Sequence, residues 1–162
     1  MRPLLALALF AAPVTAADPL PVKLLTDTFR VRMPGEPDID AKELAVGGGR
    51  SVPVATHKAT DPKSQAVFSV TVADYPSAFA DVPADTLLDG VRDGLKGKDG
   101  KIKREDRKGG RTLQIEAGRN VIHARLVLVG SRLFQVTVAG PGKSFPEKTA
   151  REFLDSFEPV GR

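Results

Sequence analysis

The feature that most constrains this chain is a two-residue alternation of apolar and polar side chains, repeated between glycine- and proline-rich breaks. In residues 29–33, Phe29, Val31 and Met33 lie on one side of a strand, and arginines occupy the positions between them. The same period predicts strands over residues 39–46, 50–60, 68–74, 101–108, 112–117, 121–129 and 132–139. Because the breaks between the later segments are short, we expect neighbouring strands to pair antiparallel.

Two segments follow helical spacing instead. The first follows Asp81, a candidate N-cap, and stops at Gly97, whereas the second carries a capping box formed by Ser144 and Glu147. The apolar stripes are Ala84, Leu87, Leu88, Val91 and Leu95 in the first helix, and Ala150, Phe153, Leu154 and Phe157 in the second. Since these stripes must be buried, the sequence predicts the α+β class, with a meandering, mainly antiparallel β-sheet covered by helices.

Three phrases of the chain, residues 29–37 (FRVRMPGEP), 130–135 (GSRLFQ) and 153–157 (FLDSF), are similar to those of small exported bacterial proteins of uncharacterised function. With the order of strands and helices, they make the chain resemble the PsbP-like fold superfamily, an α/β/α sandwich that includes an extrinsic photosystem II subunit and a Ran-binding import factor. The resemblance spans about residues 25–158. It implies a noncatalytic binding or accessory role, because those members dock to partners, and it transfers no functional residue to this chain.

The N-terminal residues have the pattern of a secretory signal peptide. Arg2 supplies a positive charge, residues 4–12 are apolar, and small side chains follow, so we expect cleavage after Ala16. The alternative is a retained membrane anchor, but the apolar run is only about half of the ~20 residues that a bilayer span needs. The predicted organisation is a signal peptide (1–16), a Pro-rich lead-in (17–24), one α+β domain (25–158) and a C-terminal tail (159–162), without a transmembrane segment in the mature chain. The protein would be periplasmic or extracellular.

The composition of the chain excludes several classes of functional site. The chain has no cysteine, which excludes disulfides, thiolate metal sites, covalent haem attachment and a lipidated cysteine. Its formal net charge of +4 is mild and does not by itself argue for nucleic acid as a partner. We therefore expect no cofactor and no nucleic-acid partner.

A glycine-rich segment, residues 140–144 (GPGKS), mimics a phosphate-binding loop ahead of a helix. The motif requires a small residue five places before Gly142, but Thr137 stands there, inside a strand pattern, and Pro141 removes a backbone amide. We interpret the segment as a turn followed by the helix cap Ser144.

Two further sets of side chains have both a chemical and a structural interpretation. An aspartate stripe at four-residue spacing on the first helix could be a weak calcium site, or a solvated helix face. The two histidines could form a zinc or general-base site if the sheet brought them together, but they are more simply surface residues. The residues are Asp81, Asp85, Asp89 and Asp93 in the stripe, and the histidines His57 and His123.

The clearest departure in composition is a basic segment, residues 96–111, with eight lysines and arginines against three carboxylates. In a regular strand, Lys101, Lys103 and Arg107 would form an exposed row. Ile102, Arg104 and Lys108 would then point the other way, unless a bulge intervenes. The row is a possible contact for an anionic surface, such as lipid headgroups, an acidic glycan or an acidic protein. The alternative is an edge strand whose charges prevent sheet-to-sheet association.

The sequence alone thus favours an exported, noncatalytic binding or accessory domain whose partner is an unknown protein or an anionic component of the envelope. No serine lies in a nucleophile-elbow context, so no catalytic residue is assigned. The alternatives are a hydrolytic enzyme whose site is assembled from distant residues, and a structural component of the envelope.

Export gives the first testable prediction. Because residues 1–16 have the signal-peptide pattern, N-terminal sequencing of protein expressed in its host should begin at Ala17. Intact Met1 on protein recovered from the cytoplasm would contradict this prediction.

Overall fold

The computed structural model describes residues 19–47 and 50–160. The predicted signal peptide, residues 1–16, lies outside the described residues, as do residues 48–49 between two of the predicted strands. The strands are β1 (Val22–Leu25), β2 (Phe29–Met33), β3 (Asp38–Gly47), β4 (Arg50–Thr60), β5 (Val67–Asp74), β6 (Lys101–Asp106), β7 (Arg111–Ala117), β8 (Asn120–Val129), β9 (Arg132–Pro141) and β10 (Glu158–Pro159). The helices are α1 (Ala84–Lys96) and α2 (Glu147–Ser156), with short 3-10 turns at Ser77–Phe79 and Gly142–Ser144.

All strand pairs of the described chain are antiparallel, and the strands form two sheets. The larger sheet has seven strands in the order β3-β4-β5-β9-β8-β7-β6, and the smaller one has the order β1-β2-β10. In the larger sheet each strand lies beside its neighbour in sequence, except where β5 pairs with β9. The predicted class, α+β with a mainly antiparallel sheet, is confirmed.

The larger sheet is apolar on both faces, and a different layer covers each face. Helix α2 and the small sheet cover one face, where α2 contributes Ala150, Phe153 and Leu154 to a buried cluster. Helix α1 covers the other face, where Leu88 joins buried residues of β4, β7 and β8. The central strands β5 and β9 each contribute three alternate residues to the cluster beneath α2 and one residue, Ala73 or Leu133, to the cluster beneath α1.

An ion-pair network joins α1 to the sheet beneath it. Arg111 on β7 is only 3% exposed, and its Nη2 lies 2.7 Å from Asp85 and 3.2 Å from Asp89. Its Nε lies 3.4 Å from Glu105 on β6. Two carboxylates of the aspartate stripe therefore neutralise a buried arginine. Among residues 19–47 and 50–160, no group of acidic and histidine side chains is placed to hold a metal ion.

The structure corrects both predicted helix caps. Helix α1 begins at Ala84 with Pro83 in the N-cap position, so Asp81 is not the cap. Helix α2 begins at Glu147 after Pro146, so the predicted capping box is wrong. In each case the proline disfavours helical backbone in the residue before it, which moves the helix start to a later residue. The predicted stop at Gly97 is correct, because its φ of 64° suits glycine.

The segment predicted as a Pro-rich lead-in, residues 17–24, includes most of strand β1, and Leu20 in it is fully buried. Strand β10 lies at the beginning of the predicted tail, with Glu158 opposite Arg30 and Pro159 opposite Phe29. Both ends of the described chain therefore flank the same strand, β2. No helix in the described ranges is long and apolar enough to cross a membrane.

Packing of helix α2 on the larger sheet should contribute strongly to the free energy of unfolding. Phe153 is fully buried, and its ring packs edge-on against Phe68 with centroids 5.3 Å apart. Replacing Phe153 by alanine should lower the free energy of unfolding by about 3–5 kcal/mol, because it removes a buried ring and leaves a cavity. Urea denaturation followed by circular dichroism measures this change.

The matched control is Lys148→Ala on the exposed side of the same helix, where the side chain is 91% exposed. This variant should change stability by less than about 0.5 kcal/mol. A loss below about 1 kcal/mol for Phe153→Ala would mean that α2 is peripheral to the core.

Candidate functional site

The basic segment forms β6, an edge strand of the larger sheet, but it is not a regular strand. A β-bulge lies between Ile102, which is opposite Ile115, and Arg104, which is opposite Gln114. Lys103 is the extra residue of the bulge. Ile102 therefore packs on the α1 side of the sheet, while Arg104 lies over the other face.

The bulge changes the predicted arrangement of charges. Lys101 is exposed on β6, Lys103 pairs with Glu116 at 3.1 Å, and Arg107 lies beyond the end of the strand. The Nε of Arg107 is 3.1 Å from Glu105 Oε1. Lys101, Lys103 and Arg107 thus do not form one row along a regular strand, and the expectation that Arg104 shares the face of Ile102 is wrong.

Strand register brings two rows of polar side chains together on the α2 face of the sheet. One row contains Arg104, Gln114 and His123, which are opposite one another on β6, β7 and β8. The neighbouring row contains Asp106, Thr112 and Arg125 in the same order. Directly opposite residues of antiparallel strands have Cβ atoms about 5 Å apart, so each row spans only about 10 Å.

Helix α2 provides the second wall of this site. Arg151, Leu154 and Asp155 on the helix face the two rows and enclose a cleft of about 540 Å³. Spacing of three and four residues places these side chains on one side of the helix. We call this space the arginine cleft; its lining is Arg104, Asp106, Thr112, Leu113, Gln114, His123, Arg125, Arg151, Leu154 and Asp155.

His123 forms the buried end of the arginine cleft. It is 6% exposed, and its ring lies 4.7 Å from that of Phe145. Burial lowers the pKa of His123 and nearby Arg151 lowers it as well, whereas Glu147, whose Oε2 is 3.5 Å from Nε2, opposes the shift. His123 is therefore neutral at pH 7, and the interpretation of this histidine as a surface residue is wrong.

Arg125 is held in place by the C-terminal end of α2. Its Nη1 donates hydrogen bonds to the carbonyls of Leu154 at 3.2 Å and Phe157 at 3.3 Å. Its guanidinium lies 6.0 Å from the centre of the Phe157 ring. A cation at a helix C-terminus stabilises the otherwise unpaired carbonyls there, so this arginine locks the helix to the sheet.

Arg104 and Arg151 differ from Arg125 because neither forms a hydrogen bond or ion pair with any residue of the described ranges 19–47 and 50–160. They approach the same cleft from opposite walls, one from β6 and the other from α2. Three guanidinium groups line the cleft against two carboxylates, Asp106 and Asp155. Guanidinium groups present paired N–H donors that match carboxylate, phosphate and sulfate oxygens.

The other candidates from sequence do not converge on a site. His57 lies on β4, so β5 and β9 separate it from His123 on β8, a gap of about 14 Å at the usual strand spacing. In the loop that mimics a phosphate site, a Cβ on Gly140 would lie 2.9 Å from the Cβ of Ala66. This glycine is explained by close packing. Ser144 does not cap α2 but donates a hydrogen bond to the carbonyl of Ser64 at 3.1 Å.

Comparison with known proteins assigns no function to this arrangement. No protein-family model matches the chain, and a search of curated proteins finds no match. The functional assignment therefore depends on the chemistry of the arginine cleft.

Sequence reasoning did not single out Arg104, Arg125 and Arg151 as a set. A usable signal is present in the sequence, because His123 and Arg125 alternate with Ile122, Ala124 and Leu126 on β8, which lies inside the sheet and not at its edge. A polar side on an interior strand that is covered by a helix must form a lined cavity or a buried polar network. Arg151 also lies next to the apolar stripe of α2, at the boundary between core and solvent.

The two histidines, of which His123 is buried and His57 half-buried, predict how stability depends on pH. Burial lowers the pKa of both His57 and His123 in the folded state, below the ordinary histidine value of 6.5. Below pH 6.5 the unfolded chain binds protons that the folded protein does not, so the free energy of unfolding should fall as pH falls. Urea midpoints measured between about pH 7.5 and pH 5.5 should therefore decrease.

The double variant His57→Gln, His123→Gln should flatten this pH dependence, and each single variant should flatten part of it. An unchanged slope in the double variant would show that other groups cause it.

Proposed function

We propose that the protein is an exported, noncatalytic binding domain that holds an anionic group of its ligand in the arginine cleft. The observation that carries the proposal is the pair of arginines, Arg104 and Arg151, which face each other across one cleft without a partner among the described residues. An anion bound between these two arginines would accept charge-assisted hydrogen bonds from both guanidinium groups.

The shape of the cleft favours a compact anionic group. Its floor is sheet and its wall is helix, so its width is set by regular structure and not by a loop. Thr112 and Gln114 add a hydroxyl and an amide beside the guanidinium groups, and both can donate to anion oxygens. A phosphate, a sulfate or a carboxylate, alone or as part of a larger envelope component, matches these donors.

Binding without turnover is the activity that these side chains support best. A catalytic hydroxyl needs a general base within hydrogen-bonding distance. Thr112 makes no hydrogen bond to His123, and the nearest charged partner of His123 is Glu147, at 3.5 Å. His123 instead contributes buried polar surface at the end of the cleft.

The proposal includes a PsbP-like relationship and a periplasmic or extracellular location. The three-layer arrangement supports the relationship, since helices lie over both faces of an antiparallel sheet. The signal-peptide pattern supports the location.

Calorimetric titration with inorganic phosphate and with citrate tests the binding proposal. We expect saturable binding to the wild-type protein that weakens as salt is added. Arg104→Ala and Arg151→Ala should each weaken it roughly tenfold or more, because each variant removes charge-assisted hydrogen bonds to the anion.

Lys103→Ala is the matched control, because it removes a nearby positive charge that is paired with Glu116 outside the cleft. It should leave the affinity within about twofold of wild type. Absence of binding, or equal binding by all variants, would contradict the proposal.

Co-sedimentation with anionic and neutral vesicles separates the cleft from the exposed edge of β6. If Lys101, Lys103 and Arg107 contact an anionic surface, the triple variant Lys101→Glu, Lys103→Glu, Arg107→Glu should lose vesicle binding at low salt. If that variant binds vesicles as wild type does, these three residues only protect the edge of the sheet.

A further inference from the structure

The two edges of the larger sheet are built differently. The edge strand β6 carries a bulge and a dense set of positive charges, which are common protections against edge-to-edge pairing. The other edge strand, β3, pairs with β4 in continuous register from Asp38 to Ala45, and its irregularity comes only after Ala45. Among the described strands β3 has no partner on its outer side.

Strand β3 is also exposed to solvent although it contains large aliphatic side chains. Residues 38–45 are exposed, and they include Ile39 at 65% and Leu44 at 50%. A long, regular edge strand with exposed aliphatic side chains is a template for pairing with another strand. Its charges are of mixed sign, since Lys42 lies among Asp38, Asp40 and Glu43.

From this edge we infer that β3 pairs with β3 of a second copy of the chain, which joins two seven-stranded sheets across a twofold axis. Antiparallel pairing about an axis perpendicular to the sheet continues the ladder and keeps each side chain on its own face. The twofold axis must then pass between a residue and the same residue of the second copy. Near the middle of the strand this residue is Asp40, Ala41 or Lys42, which gives three possible registers.

Charge selects one of these registers. With the axis at Ala41, Asp40 of each copy lies opposite Lys42 of the other, which gives two symmetric pairs of opposite charge. Shifting the axis to Asp40 pairs Asp38 with Lys42 but places two aspartates opposite each other at the axis. Shifting it to Lys42 places two lysines opposite each other and leaves no pair of opposite charge. The register centred on Ala41 also puts Ile39 diagonal to Ala41 and Ala45 of the second copy.

Charge reversal tests the interface and its register together. Sedimentation equilibrium of the protein as purified from the expression host should show a reversible dimer. Asp40→Lys or Lys42→Asp alone places like charges opposite each other at both symmetric positions. Each should raise the dimer dissociation constant about tenfold or more.

An equal mixture of the Asp40→Lys and Lys42→Asp proteins should associate again, because each lysine of one then faces an aspartate of the other. The double variant, with both substitutions in one chain, should dimerise as wild type does. Lys98→Asp and Asp99→Lys, exposed residues in the loop before β6, are matched controls and should leave the dimer unchanged.

Three results would overturn the inference. The first is a wild-type protein that stays monomeric up to about millimolar concentration, well above the range of specific association. The second is a dimer that survives both single variants, because it would use another surface. The third is a mixture of the two variants that stays monomeric, because it would exclude this register. Circular dichroism confirms that each variant is folded, and no anion is added, so the outcome is independent of the arginine cleft.

Discussion

The pairing of β5 with β9 is the interaction on which the rest of the structure depends. It is the one pair in the larger sheet that joins strands not adjacent in sequence, and it runs without interruption from Val67 opposite Ala139 to Asp74 opposite Arg132. At its end, Arg132 makes two hydrogen bonds to the carboxylate of Asp74. Without this pair the β3–β5 and β6–β9 meanders would be separate sheets, and the buried cluster beneath α2, which contains residues of both β5 and β9, would be divided.

The position of α2 explains why a cleft forms where it does. Helix α2 packs on β8 and β9 beside the small sheet, so its apolar stripe is fully used over the middle of the larger sheet. Towards β7 and β6 the sheet continues but the helix does not follow it, and the side chains there are polar. The arginine cleft lies between the centre of the larger sheet, which α2 covers, and the edge at β6, which α2 does not cover. Arg125 on the sheet fixes the position of α2, the other wall of the cleft, by donating hydrogen bonds to carbonyls at the C-terminal end of the helix.

Much of the fold could be predicted from the sequence, because several strands are amphipathic over five or more residues and end at or directly before a glycine. The predicted bounds 112–117, 121–129 and 132–139 lie within two residues of those of β7, β8 and β9. Strands β1 and β10 were not predicted, since short strands are stabilised by their partner β2 and not by their own pattern. Both helix caps were wrong because proline sterics outweighed the preference of Asp81 and Ser144 for cap positions.

The candidate site was less predictable than the fold, for a specific reason. Successive side chains of a regular strand alternate between the two faces of the sheet, so residues two apart share a face. The extra residue in β6 places Ile102 and Arg104 on opposite faces although they are two residues apart. A bulge leaves no reliable mark in a segment where nearly every side chain is charged. Arg151 is separated from Arg104 by more than forty residues, and the β6–β9 meander, together with the packing of α2 on β8 and β9, brings the two residues to one cleft.

Because the sheet is a continuous wall between two buried clusters, the interior consists of two compartments that can vary independently. A change of volume near Phe153 meets different neighbours from a change near Leu113, so their energetic effects should add. Substitutions within one compartment share neighbours and should compensate each other. Epistasis in this protein should therefore divide along the plane of the sheet, and the ends of β5 and β9, where Val72 and Ala73 and likewise Leu133 and Phe134 enter different compartments, should couple the two sides.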